Sequence, residues 1–108
     1  MKLKNEVVDA SNKGIGYDLY RALFLNYGKR GEKAFLYLFQ RRVKKYLDFF
    51  IVVGRNEYIV EDFFCTCPDF QLNLRSREPC AHIIAVEVAK ILKFYDEINT
   101  YYADFQKI

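Results

Sequence analysis

The sequence predicts a small α+β domain, on three observations. Apolar residues recur at helical spacing between residues 17 and 43 and again after residue 82. Between them runs a stretch rich in aromatic and β-branched residues, broken by one turn. All three cysteines and the single histidine fall between Cys65 and His82, where the second texture gives way to the third. A chain of 108 residues is long enough for one modest core and gives no reason to divide it.

Along the chain, residues 1–16 read as a flexible arm ending in "NKGIG". Residues 17–43 read as a helical pair. "YDLYRALFLNYG" spaces Leu19, Ala22, Leu23 and Tyr27 for a helix that Gly28 would stop, and "EKAFLYLFQRR" repeats the spacing with Phe35, Leu36, Leu38 and Phe39. "GKRG" is the turn between them. From Tyr46 the pattern changes: "YLDFFIVV", the turn "GRNE" and "YIVEDFFC" read as a β-hairpin. "HIIAVEVAKILKFYDEI" returns to helical spacing through Ile84, Val88, Ile91, Leu92 and Tyr95. The tail, residues 96–108, either extends that helix or breaks at Asn99.

Composition excludes several classes. Hydrophobic residues at 52% with 29% charged residues suit a folded chain rather than a disordered one. The start carries no apolar run of secretory length, and no stretch approaches a membrane span. An odd cysteine count would leave one thiol unpaired under oxidation, so a reducing intracellular, cytoplasmic setting is expected.

The clustered residues carry the chemistry. Cys65 and Cys67 sit two apart at the end of the second strand, where extended backbone turns both sulfurs to one face. Cys80 and His82 also sit two apart, and a continuous helix would point them roughly 200° apart. That places Cys80 at or just before the helix N-cap and His82 in the first turn. Three thiolates and one imidazole complete a tetrahedral set for one zinc, with no position left for water, so the zinc would be structural. Inert buried cysteines would not explain the Cys-x-Cys and Cys-x-His pairing. A disulfide between Cys65 and Cys67 is awkward on a strand, and a catalytic Cys–His pair needs a third orienting group.

With its flanks, "EYIVEDFFCTCPDFQLNLRSREPCAHIIA" resembles the SWIM zinc finger: Cys-x-Cys, a spacer, Cys-x-His, with Phe70 after the second cysteine and Ala85 after the histidine. The resemblance covers residues 44–95 and implies that Cys65, Cys67, Cys80 and His82 hold the metal. The upstream "RGEKAFLYLFQRRVKKY" is similar to the segment before this finger in small free-standing archaeal members. The family implies an interaction module that binds DNA or proteins, in recombination, repair or transcription; some members work beside recombinase paralogs.

Charge points to the partner. Residues 1–45 hold 11 Lys/Arg against 4 Asp/Glu, while residues 46–108 hold 6 against 10. Lys29, Arg30, Lys33, Arg41, Arg42, Lys44 and Lys45, with Arg75 and Arg77 in the spacer, are candidate contacts to DNA phosphates, without base-specific readout. A DNA-binding chain would sit at the nucleoid. The alternative is a protein partner, or a second copy, on the aromatic run Tyr95, Ile98, Tyr101, Tyr102 and Phe105, unless that tail folds back to complete the core. Catalysis is not expected. "GIG" is too short for a phosphate loop, and with His82 on the metal no histidine remains for acid–base work.

Overall fold

A computed structural model describes residues 1–105, which form α1 (Asn5–Ser11), α2 (Tyr17–Tyr27), α3 (Lys29–Phe39), β1 (Val43–Lys45), β2 (Phe50–Val53), β3 (Glu57–Glu61), β4 (Phe64–Cys65), α4 (Ala81–Leu92), β5 (Asp96–Glu97) and α5 (Tyr102–Phe105). The class is the expected α+β. The expected hairpin is β2–β3, but its second strand stops at Glu61: Asp62 and Phe63, at φ 45° and 61°, turn the chain so that Cys65 lies on a separate strand, β4, in a five-stranded sheet ordered β4-β3-β2-β1-β5. All neighbours are antiparallel except β1 and β5, which run parallel with Lys44 opposite Asp96 and Lys45 opposite Glu97.

The N-terminal arm is a correction. Leu3, Val7, Ala10 and Ser11 are buried, and the Ser11 hydroxyl donates to the Val7 carbonyl at 2.7 Å. Val7, Ala10 and Ser11 share one helical face, which packs α1 against α2 and α4, and Leu3 is buried just ahead of the helix. A second correction concerns "GKRG". Gly28 alone makes the turn, at φ 60°, in backbone that favours glycine. Gly31 lies inside α3, where a Cβ would come within 2.0 Å of the Leu23 carbonyl oxygen. Its bareness lets α2 and α3 pack at backbone contact.

Helix α4 is the centre of the molecule. From Ala81 to Ala89 every residue but Glu87 is buried, as expected of a helix that is apolar all round. It packs against α1 and α3 and across β1, β2, β3 and β4. It ends at Leu92 with Lys93 left-handed (φ 54°, ψ 41°), so Tyr95 is not on the helix. The chain instead returns along β1. Tyr95 meets Phe50 edge-on at 5.4 Å, and Tyr102 meets Tyr46 at 5.1 Å and donates to Glu57 Oε1 at 2.7 Å. The aromatic tail therefore folds back on the sheet. Tyr101 remains 54% exposed. The Phe105 side chain and residues 106–108 lie outside the described residues.

Candidate metal centre and the groove beside it

Strand β4 delivers Cys65 at its end, paired across from Val60, and Cys67 follows two residues on. The amides of Cys67 and Phe70 donate to the sulfurs of Cys65 and Cys67, at 3.5 and 3.4 Å. A turn of π-helix at Asp69–Asn73 begins the spacer that carries the chain to Cys80. Cys80 is the extended N-cap of α4 and His82 lies in its first turn, as the two-residue spacing requires. All four donors are buried, and one ligand atom from each lies within 4.8 Å of every other.

The geometry fits a single tetrahedral zinc. His82 Nδ1 is 3.6 Å from Cys65 Sγ and 3.7 Å from Cys80 Sγ. The edges of a tetrahedron with ordinary Zn–S and Zn–N lengths measure about 3.5–3.8 Å. The neighbouring Cys80 sulfur pushes the Cys65 thiol up, while Cys65, His82 and the Ile83 amide hold Cys80 below the ordinary thiol range. Burial raises the Cys67 thiol. Four protein donors complete the shell, so such a zinc supplies cross-linking rather than Lewis-acid chemistry.

Two aromatic side chains invisible to the motif complete the centre. The Tyr37 hydroxyl on α3 lies 3.3 Å from His82 Nε2, with its ring 5.3 Å from the imidazole. The Tyr58 ring from β3 lies 4.3 Å from the imidazole. Neither is near His82 in sequence, so no spacing could have identified them. Arg30 completes the join of α3 to the finger through a two-point pair with Asp69, at 2.8 and 2.9 Å, which holds the Asp69 carboxyl down to about 2.

The candidate phosphate-contacting residues divide by location. Lys29, Arg30, Lys33 and Arg42 line two adjoining hollows of about 590 and 640 Å³ that meet over His82 and Tyr37. Arg55, in the β2–β3 turn, joins them. Both carboxylates in the lining are engaged, Asp69 with Arg30 and Glu32 by the Tyr20 hydroxyl at 2.9 Å. Among the described residues, Lys29, Lys33, Arg42 and Arg55 form no ion pair, although Lys33 is near enough to Asp69 to help hold its carboxyl down. Arg41 and Lys44 both pair with Asp96, and Arg41 also lies over the Phe94 ring at 4.5 Å. Lys45 is exposed opposite Glu97, away from the groove. Arg75 and Arg77 are exposed on the spacer and do not line either hollow.

Residues 50–91 match the family model for the SWIM zinc finger. Over 108 residues the chain is 58% identical to an uncharacterized protein of Archaeoglobus fulgidus, spanning 100% of this chain and 96% of that protein. No solved structure matches it. Among the described residues, no helix is long and apolar enough to cross a membrane.

Proposed function

The chain belongs to the SWIM zinc-finger family, and from that premise we propose that it is a DNA-binding accessory module acting without base-specific readout. Its zinc has a structural role: it ties the β4 segment to α4, and Tyr37 and Arg30 then hold α3 against the finger so that one groove forms between them. The observation that carries this reading is the set Lys29, Lys33, Arg42 and Arg55, four cations around one groove whose carboxylates are already engaged. Lys29 and Lys33 are one helical turn apart on α3, and Arg42 and Arg55 close the far end. Such a lining attracts a phosphate backbone through counterion release and carries no sequence information. A place in recombination, repair or transcription follows from the family and belongs to the same proposal.

The test is titration of the zinc-loaded protein against labelled DNA at two salt concentrations. Four phosphate contacts to a single strand give a slope of log K against log salt of about −3. Lys29→Glu, Lys33→Glu, Arg42→Glu and Arg55→Glu together should abolish binding with zinc retained. Reversal of Arg41 and Lys44, already held by Asp96, should cost far less. Binding that survives the fourfold reversal would overturn this reading.

A protein partner is the second reading, and it has its own observation. Phe24, Leu36 and Phe39 on the α2–α3 hairpin are 45%, 48% and 67% exposed, and Tyr20, Phe24, Phe35 and Phe39 form a ladder of ring contacts. Exposed aromatics of this kind are typical anchors. Failure of the DNA titration at low salt would turn attention to this face rather than to the tail.

A further inference from the structure

We infer that the groove takes single-stranded rather than duplex nucleic acid, with bases against the Tyr58 and Tyr37 rings and phosphates on the surrounding cations. The inference rests on the nucleic-acid reading above and adds the substrate class. What points to it is the mixture in the lining. The hollows that hold Lys29, Lys33, Arg42 and Arg55 are also lined by Tyr27, Tyr37 and Tyr58, all half-buried. A duplex keeps its base faces stacked inside and offers a protein surface phosphates, sugars and base edges. Tyrosine rings recessed among the cations would have no base face to meet. A single strand can turn its bases outward, and aromatic platforms beside a basic track are the usual means of holding one without regard to sequence.

Shape agrees. A duplex reader projects a helix or ribbon into a groove of the nucleic acid. Here the basic face of α3 is turned inward onto the finger: Tyr37 reaches His82 and Arg30 reaches Asp69. The concavity belongs to the protein, and a flexible strand can enter it. Tyr58 is the better platform of the two. Its ring lies over the imidazole at 4.3 Å, against 5.3 Å for Tyr37, so zinc and α4 hold it more closely from behind.

The experiment compares the zinc-loaded chain on a labelled oligothymidylate of about 15 nucleotides and on a duplex of the same length, at about 50 and 200 mM salt. The expected result is tighter binding of the single strand, about tenfold or more. Tyr58→Leu should lose about 5- to 150-fold on the single strand, the worth of one stacked base, and Tyr58→Phe should keep the wild-type affinity. Should Tyr58→Leu release its zinc, ring-proton shifts of Tyr58 in the unmodified protein, on adding oligothymidylate, decide the point; an unmoved ring overturns the inference. Duplex binding as tight as single-strand binding also overturns it, while leaving the groove a DNA site. No binding of either would overturn the DNA reading as well.

Discussion

The Tyr37 hydroxyl lies 3.3 Å from Nε2 of His82, on the side of the imidazole away from Cys65 and Cys80. With zinc on Nδ1, which faces the sulfurs, Nε2 keeps the proton and donates it to Tyr37. This bond fixes both the tautomer and the ring plane, and outer partners of this kind sustain metal affinity. Tyr37→Phe should fold with zinc bound yet hold it about 10- to 100-fold more weakly. Competition with a chromophoric chelator measures this; unchanged affinity would reduce Tyr37 to a packing residue.

Loss of one ligand should act on the whole domain. Cys65 and Cys67 anchor the end of the sheet, and Cys80 and His82 anchor the helix against which every inner strand packs. Metal binding in small fingers is worth about 10–16 kcal/mol, at or above the roughly 5–15 kcal/mol net stability of a domain. Cys67→Ser, or chelation of the parent, should remove cooperative thermal unfolding as followed by circular dichroism. A sharp transition persisting without metal would mean that the core suffices alone.

Gly31 separates backbone contact from propensity. Alanine is ordinarily the better helix residue by up to about 1 kcal/mol. Here its Cβ would meet the Leu23 carbonyl oxygen at 2.0 Å, and backbone cannot step aside as a side chain can. Gly31→Ala should therefore destabilise by about 3 kcal/mol, a fall in Tm of roughly 10–20 °C. Gly16→Ala, with nothing within 4 Å, is the control. A stabilised Gly31→Ala protein would show that α2 and α3 are farther apart than described.

The tail should respond to alkali. Burial and the Glu57 carboxylate push the Tyr102 phenol up to about 12 from 10.0. A group raised on folding contributes stability that is complete below its unfolded value and lost as pH rises through its folded one. Docking of residues 96–105 should accordingly hold to about pH 10 and weaken between there and pH 12. Tyrosine ring carbon shifts would show one phenol titrating last, and Tyr102→Phe should remove that phenol from the titration.

What could be read from sequence was whatever local spacing encodes. The ligands were legible because paired Cys and His residues have few other uses, and α2, α3 and β2–β3 because their periods run over whole turns or strands. Helix α1 spans seven residues, too few to separate its stripe from chance. Strands β4 and β5 have two residues each and exist only because β3 and β1 receive them. The fate of Lys44 depends on Asp96, 52 residues away, and no local pattern carries that information. Arg55 and Tyr58 were equally hidden, since a turn and a strand say nothing of the groove they face.

The sheet's borders give the zinc a second consequence. Beyond Val60 and Glu61, the outward groups of β3 are covered by β4 and by Thr66, whose amide donates to the Ile59 carbonyl at 3.1 Å and whose hydroxyl accepts the Ile59 amide at 3.1 Å. That cover is the same short segment that presents Cys65 and Cys67. Once the metal leaves, that segment loses its chief anchor and can peel away, and β3 ("EYIVE") then offers a bare row of donors and acceptors to another chain. Metal depletion should thus drive self-templated aggregation, visible as light scattering that grows with protein concentration after chelation. Charge placed on β3, as in Ile59→Lys, should suppress it. For this molecule, keeping its zinc is also how it stays out of its neighbours' sheets.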